Sequence, residues 1–271
     1  MNYSKKTATR LVLSILLMLV SVFGMNRSLD PKATAGFAPA GILEADDSLA
    51  VMSSSATRES VEEEMTFADN CQILIYHTHT NEAYLANGEN RFENLASRSE
   101  NAGLTVKQVG NVLSEALAAY GYDTYHDITN HEAKGYSYAY KSSAALINSL
   151  TQQNGKYKVH IDLHRDAYIK NTIPTVEING ESVARVMLVV GGECDTAKEN
   201  HEFAKRVAEE MNKIKAGFCE KVLYVATSGY NQEHSDRSLL IEVGDNAVTI
   251  EEASRAAQYV AVAIGKVLAG E

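Results

Sequence analysis

The stretch Gln72-Ile-Leu-Ile-Tyr-His-Thr-His-Thr-Asn-Glu82 joins an apolar, β-branched run to a cluster of histidine and carboxylate residues. A second stretch, Lys158-Val-His-Ile-Asp-Leu-His164-Arg-Asp166, has the same design, and a third, Ser238-Leu-Leu-Ile-Glu242-Val-Gly244, adds one more carboxylate. A buried strand of this kind carries polar side chains to the rim of a sheet. We therefore expect the three segments to be strands whose polar ends form one site.

Strand-like and helix-like segments alternate from Cys71 onward. Apolar residues at helical spacing predict helices over residues 104–120, 138–150, 199–214 and 250–268. Apolar runs predict strands over residues 73–76, 123–126, 159–163, 222–226 and 239–243, and Asn179-Gly180 predicts a hairpin between 176–178 and 183–190. The alternation predicts an α/β fold, a three-layer domain with a mostly parallel sheet flanked by helices. Ligands bind such sheets outside the carboxyl ends of the strands.

The N-terminal region predicts a segment separate from this domain. Basic residues precede an apolar stretch over residues 11–25, which is the layout of a signal anchor or signal peptide. We favour a retained anchor at residues 1–25, with cleavage near Ala33-Thr-Ala35 as the alternative. Residues 26–70 are rich in Ala, Ser and Glu and predict a flexible extracytoplasmic tether, followed by the catalytic domain at residues 71–271.

The composition argues against several classes of protein. A net charge of −10 and a pI near 5.3, without a basic cluster beyond the N-terminus, disfavour nucleic-acid binding. The three cysteines, Cys71, Cys194 and Cys219, are scattered and form no Cys-x-x-Cys pair, which favours neither a disulfide framework nor a thiolate zinc site. A glycine-rich phosphate loop is also missing from the sequence, so a nucleotide-dependent enzyme is not expected.

Histidine and carboxylate residues at strand ends indicate a zinc site. His79 and Glu82 have His-x-x-Glu spacing, and His164 of the second strand supplies a third ligand. His77 would point the same way as His79 if the extended geometry persisted, so it is the alternative ligand. His160 lies deeper in its strand and is expected to be a core histidine.

A zinc hydrolase also needs a carboxylate that takes a proton from water and passes it to the leaving amine. Glu242 suits this role, and a solvated charge at a strand end is the alternative. Arg165 could steady the developing oxyanion and Asp166 could orient a histidine, or both could pair with surface charges. His131 lies in a loop at the same rim, as a spare ligand, a substrate contact or an ordinary exposed residue.

At these residues the chain resembles the stage II sporulation protein P family of spore-forming bacteria. The resemblance runs from about Cys71 to the C-terminus, includes the basic and apolar N-terminus, and is carried by Ile75-Tyr-His-Thr-His-Thr80 with Glu82, His126-Asp127 with His131, Asp162-Leu-His-Arg-Asp-Ala167, Tyr230-Asn-Gln232 and Leu240-Ile-Glu-Val-Gly244. It implies a fold similar to that of zinc-dependent N-acetylmuramoyl-L-alanine amidases. It also implies zinc on His79 and His164, with Glu242 as the catalytic carboxylate.

The resemblance further implies a membrane-anchored peptidoglycan hydrolase that acts in forespore engulfment during sporulation. Its expected activities are those of an N-acetylmuramoyl-L-alanine amidase and a peptidoglycan endopeptidase. Besides peptidoglycan, the implied partners are stage II sporulation proteins D and M. In the related amidases the carboxylate ligand comes well beyond the first histidine, so Glu89, Glu93 and Glu100 remain alternatives to Glu82.

Two other functions stay open at the level of sequence. A carboxypeptidase-like zinc exopeptidase would use the same ligand spacing, with Arg165 or Arg185 holding the terminal carboxylate of the substrate. A non-catalytic cell-wall-binding module could share the scaffold without performing chemistry.

Overall fold

The structure is a computed structural model that describes residues 71–89 and 97–270. Strands and α-helices alternate along these residues, in agreement with the sequence pattern. The predicted anchor at residues 1–25, the tether at residues 26–70 and Glu93 lie outside the described residues. Within the two described ranges, no helix is long and apolar enough to cross a bilayer.

A six-stranded sheet forms the centre of the domain. Its strands are β1 (Cys71–Tyr76), β2 (Asp123–His126), β3 (Val159–Asp166), β6 (Val186–Gly191), β7 (Cys219–Val225) and β8 (Ser238–Asp245), and their order is β2-β1-β3-β8-β6-β7. The first four strands in that order are mutually parallel, β6 runs antiparallel to β8, and β7 runs parallel to β6. β4 (Thr175–Ile178) and β5 (Glu181–Ala184) form a separate antiparallel hairpin. The mostly parallel sheet is thus confirmed.

Helices cover both faces of the sheet. They are α1 (Val106–Ala118), α2 (Ala139–Asn154), α3 (Ala197–Ile214) and α4 (Ile250–Ala269). On one face, apolar residues of α1, α3 and α4 pack with the inward residues of the strands into the main core. On the other face, α2 packs Ile147 and Leu150 against Leu74 and Tyr76 of β1. This arrangement is the three-layer architecture that the alternating pattern predicts.

The predicted hairpin differs from the observed one in its second arm. Residues 183–190 divide into β5 and β6, because at Arg185 the chain leaves the hairpin and joins the central sheet. There the N–H of Arg185 donates to the carbonyl of Pro174 (2.8 Å), and its own carbonyl accepts from the N–H of Gly244 (2.7 Å). Apolar residues lie on both sides of the break, so the run reads as one strand in sequence.

The topology brings the three polar strand ends together. β1 and β8 lie on either side of β3, and all three run in the same direction. Their carboxyl ends therefore meet at one edge of the sheet, where His164 and Glu242 are direct partners in the register. Neighbouring strands are about 4.8 Å apart, so these two side chains leave the same face side by side.

Candidate functional site

The chain turns directly after β1 and separates His77 from His79. The N–H of Glu82 donates to the carbonyl of His79 (3.2 Å), which closes the turn. His77 points into the domain, where its Nδ1–H donates to the carbonyl of Leu163 (2.9 Å) and its Nε2 lies 2.7 Å from Nε2 of His126. Burial and the neighbouring His126 lower the pKa of His77 to about 3, so its ring is neutral. Both ring nitrogens of His77 are therefore already engaged away from the rim.

His79 and His164 lie together at the rim. Their rings are 5.4 Å apart between centroids, in an edge-to-face arrangement. The Nδ1–H of His79 donates to Oε1 of Glu132 (3.2 Å), which leaves Nε2 as the remaining nitrogen of that ring. Burial and the neighbouring His164 lower the pKa of His79, so its neutral form is favoured. A neutral imidazole with one nitrogen unengaged is the form that binds a metal ion.

His164 lies between two carboxylates. Its Nδ1 is 3.3 Å from Oε2 of Glu82, and its Nε2 is 2.8 Å from Oδ1 of Asp162. Burial opposes protonation, but the charges of Asp162 and Glu82 outweigh it and hold the pKa of His164 well above its ordinary value. Asp162 is itself fixed, because it accepts the backbone N–H (2.8 Å) and the hydroxyl (2.7 Å) of Thr78.

Of the three alternative carboxylates that the structure describes, Glu82, Glu89 and Glu100, Glu82 is the one that lies beside His79 and His164. Besides its contact with His164, its Oε2 accepts the backbone N–H of Arg165 (3.1 Å). Glu89 is exposed and accepts the N–H of Ala86 within its own turn (2.9 Å). Glu100 is exposed as well. The turn after β1 thus keeps Glu82 beside His164.

Glu242 emerges beside His164 with one buried oxygen. Its Oε2 has no hydrogen-bond partner among residues 71–89 and 97–270. Burial raises the pKa of Glu242 to about 8, an effect that His164 opposes and Glu82 reinforces. The carboxyl group therefore changes its protonation state close to neutral pH, as a general acid or base must.

Glu132 belongs to the site although the sequence pattern did not single it out. Its side chain is 4% exposed, and it accepts hydrogen bonds from His79 and from the backbone N–H of Asn81 (3.2 Å). Arg98 forms an ion pair with Oε2, the oxygen that also accepts the Asn81 N–H. Burial would raise the pKa of Glu132, but Arg98 and the Asn81 N–H outweigh it and keep the pKa below its ordinary value. The only signal in the sequence is the adjacent pair His131-Glu132.

Arg165 and Asp166, which were also predicted for the site, form hydrogen bonds with the backbone around it. Arg165 donates to the backbone carbonyls of Ala83 (2.9 Å) and Asp166 (3.3 Å), and also to that of Ser97. Asp166 accepts the N–H of the next residue (2.7 Å) and lies away from the histidine rings that Asp162 and Glu132 contact.

Two further histidines are buried away from the pair. His131 has Nδ1 3.0 Å from the hydroxyl of Ser142 and Nε2 3.3 Å from Asp127. His160 lies in the core beside Tyr157, as expected, and burial lowers its pKa to about 3.

Aromatic side chains surround His79. Tyr136 stacks on its ring at 4.0 Å between centroids, and Tyr140 meets it edge-on at 5.7 Å. In the part of the chain that the structure describes, no group of three or more His, Cys, Asp or Glu side chains is arranged to hold a metal ion as it stands. The site is thus a histidine pair, His79 and His164, whose rings contact three carboxylates, with a fourth carboxylate, Glu242, beside it.

Comparison with solved structures identifies the fold. The domain is similar to the CwlD amidase from Clostridioides difficile, solved in complex with the GerS lipoprotein, with a TM-score of 0.51 and 12% sequence identity. The match covers 74% of this chain and 100% of that one. The likeness supports the predicted amidase-like architecture, and at this identity it concerns the fold alone.

Comparison of sequences identifies the family. The chain is 29% identical over 229 residues to stage II sporulation protein P from Bacillus subtilis (strain 168), a match that covers 76% of this chain. The matched region spans 56% of the length of that relative. The profile of Stage II sporulation protein P (SpoIIP) matches residues 40–265, well over half of the sequence. The chain belongs to the SpoIIP family.

Proposed function

We propose that this protein is a peptidoglycan hydrolase, namely a zinc-dependent N-acetylmuramoyl-L-alanine amidase that also cuts peptide crosslinks. The observation that carries the proposal is the meeting of His79, Glu82, His164 and Glu242 at one edge of the sheet. The likeness in fold to an amidase and the membership of a sporulation family support it.

His79, Glu82 and His164 would hold the zinc ion. Two donors at 2.0–2.2 Å from a tetrahedral zinc ion lie roughly 3.3–3.5 Å apart, and the 3.3 Å between His164 Nδ1 and Glu82 Oε2 agrees with this. A histidine that binds zinc usually has its other ring nitrogen held by a carboxylate or carbonyl. Asp162 and Glu132 stand in that relation to His164 and His79. Zinc, when bound, polarises the scissile carbonyl and lowers the pKa of a water molecule.

Glu242 would carry the proton between the two halves of the reaction. Its carboxylate accepts a proton from the attacking water as the carbon–oxygen bond forms. The protonated carboxyl group then donates it to the leaving amine nitrogen as the carbon–nitrogen bond breaks. The partnerless Oε2 of Glu242 is available for both steps.

Replacing Glu242 with glutamine tests this role. Glu242→Gln keeps the size of the side chain but cannot carry the proton, so the release of muropeptides from peptidoglycan should fall by roughly 100- to 10,000-fold. The purified chain would be incubated with peptidoglycan and zinc, with products measured by mass spectrometry and bound zinc by atomic absorption. Zinc content should stay at the wild-type value, and exposed Glu193→Gln serves as the control. Full activity of Glu242→Gln would remove this residue from the mechanism.

The products distinguish the proposed activity from its alternatives. Free lactyl ends on the glycan identify an amidase, and separated crosslinks identify an endopeptidase. Release of single terminal amino acids would instead indicate a carboxypeptidase-like exopeptidase. Sedimentation with cell walls without any product would indicate a binding module.

We also propose that residues 1–25 anchor the protein in the cell membrane with the catalytic domain outside the cytoplasm. The basic and apolar layout of these residues supports this. Engulfment of the forespore, with stage II sporulation proteins D and M as partners, is the proposed setting. The full chain should fractionate with membranes at its intact mass and co-purify with both partners. A soluble product that lacks the first residues would instead indicate cleavage.

A further inference from the structure

A small cleft opens beside Glu242 on the side of the hairpin. Glu242 and Met187, which are direct partners across β8 and β6, form part of its wall. The loop over residues 167–174 forms another part and carries the exposed side chains of Ile169 and Ile173. Two cationic residues, Arg185 and Lys221, also line the cleft, together with the carboxylates of Asp166, Glu220 and Asp245.

Arg185 is held firmly in this cleft at both backbone and side chain. Its backbone N–H and carbonyl are bonded to Pro174 and Gly244, as described above. Its Nε–H donates to the carbonyl of Thr175 (3.1 Å). The two backbone bonds hold the main chain of Arg185 and the Nε bond orients its guanidinium group, so less freedom is lost when it binds a ligand.

The terminal nitrogens of Arg185 are unengaged in the described part of the chain. They form no ion pair with a carboxylate there, and the hydrogen bond through Nε is the one that the guanidinium makes. Two of the carboxylates that line the cleft, Asp166 and Asp245, accept backbone N–H groups of Ala167 and Ala247. Arg165, by contrast, donates to three backbone carbonyls. A half-buried guanidinium whose fork is free is suited to a bidentate carboxylate ligand.

The position of Arg185 relative to Glu242 follows from the pairing of β6 with β8. It lies opposite Gly244, two residues beyond Glu242 on β8. Diagonal neighbours of this kind are roughly 7–8 Å apart, whereas one residue of an extended peptide spans about 3.3–3.6 Å. A carboxylate on Arg185 would therefore lie one or two residues from a bond positioned at Glu242.

We propose that Arg185 binds a carboxylate of the substrate peptide, one or two residues from the bond that is cleaved. The proposal rests on the proposed function and narrows its substrate class to peptide amides with a carboxylate nearby. That group can come from within the peptide, as the free carboxyl of an internal glutamyl residue, or from the C-terminus of the peptide. Lys221, exposed at the rim of the cleft, provides a matched cation without this fixed geometry.

The test combines two variants with substrates whose carboxylates are removed one at a time. Soluble muropeptides would carry the internal and terminal groups as carboxylates, or one of the two as a carboxamide. For Arg185→Gln, kcat/KM on the dicarboxylate should fall about 10- to 100-fold, mainly through KM, because a hydrogen bond to a charged group is lost. The wild-type preference for carboxylate over carboxamide should disappear at one position, which identifies the source. Lys221→Gln should change kcat/KM less than about threefold.

Arg185→Lys controls for folding, because it keeps the charge and should restore part of the affinity. Equal losses of Arg185→Gln on carboxylate and carboxamide substrates, or no loss, would overturn the proposal. If the wild-type chain cleaves none of these substrates, the proposed function fails instead. Calorimetry would then measure the binding of the dicarboxylate muropeptide to the wild type and to Arg185→Gln. Weaker binding by the variant would support the carboxylate site. Equal binding by the two proteins, or no detectable binding by either, would reject it.

Discussion

Glu132 is a buried carboxylate that fixes one histidine of the site. Its two oxygens receive Arg98, the Asn81 N–H and His79, so its own orientation is determined by its neighbours. A carboxylate in this position selects the tautomer of the imidazole and strengthens its remaining nitrogen as a ligand. We therefore propose that Glu132 acts through His79 and would contribute to metal affinity.

Replacing Glu132 with glutamine should weaken zinc binding by about 10- to 100-fold, because His79 loses its charged acceptor. Competition with a chelating dye would measure the affinity, and circular dichroism would confirm that the variant is folded. Exposed Glu193→Gln provides a control with the same chemical change. Zinc affinity equal to wild type in Glu132→Gln would show that Glu132 does not support His79.

The sequence predicted those site residues that stand at strand ends. His164 and Glu242 lie near the carboxyl ends of β3 and β8, His79 and Glu82 lie in the turn that follows β1, and parallel topology brings the four to one edge. Glu132 could not be found in this way, since it lies in an irregular loop 53 residues from His79. Asp162 could have been found, because His160, Asp162 and His164 are spaced two residues apart and therefore lie on the same face of β3. His77 was ambiguous because the turn after β1 is not visible in the residue pattern.

At the scale of elements, α1 is packed closely against His77, which follows β1, and His126, the last residue of β2. A Cβ atom at Gly110 would lie 2.4 Å from Nε2 of His126 and 2.9 Å from Cε1 of His77. His126 is held by hydrogen bonds to His77 and to Asn111 (3.0 Å), so it cannot move aside freely. The glycine thus permits the helix to approach the sheet at this point.

Gly110→Ala should lower the free energy of unfolding by about 1–3 kcal/mol through overpacking. Helix propensity alone predicts the opposite, a gain of about 1 kcal/mol. Chemical denaturation of the variant would measure the change. The loss should shrink in a His126→Ala background, where most of the clash is absent. A Gly110→Ala protein at least as stable as wild type would refute the close packing.

The boundaries of helices and strands could be predicted where the spacing of apolar residues changes along the sequence. The helices and most strands could be predicted because their apolar spacing differs clearly from that of their neighbours. The break at Arg185 could not be predicted, since both sides of it are apolar and alternate in the same way. The pattern also does not show that β6 runs antiparallel to β8. The direction of β6 is set by the path of the chain as it leaves the hairpin, and apolar spacing carries no information about that path.

At the scale of the whole molecule, buried neutral histidines make stability depend on pH. Burial, reinforced by His234, lowers the pKa of His160 to about 3. The unfolded chain titrates near 6.5, so it binds more protons than the folded chain between these values. The stability that His160 contributes is therefore complete above about pH 6.5 and is lost as the pH falls toward about 3.

His160→Gln should remove this dependence. The loss of unfolding free energy between about pH 7.5 and about pH 5 should be smaller by about 2 kcal/mol in the variant than in the wild type. Denaturant titrations of both metal-free proteins at the two pH values would measure it, and other titrating groups cancel in the comparison. An identical pH dependence in the two proteins would mean that His160 is protonated in the folded state.

The residues proposed for chemistry and those proposed for substrate recognition come largely from different parts of the chain. The polar residues proposed for chemistry belong to β3 and β8 or follow β1, whereas part of the wall of the cleft around Arg185 comes from the chain between β3 and β6. That intervening chain can change in length or sequence while the strands beneath it stay in register. Within such a scaffold, evolution can alter which peptide is accepted without altering how its bond is broken.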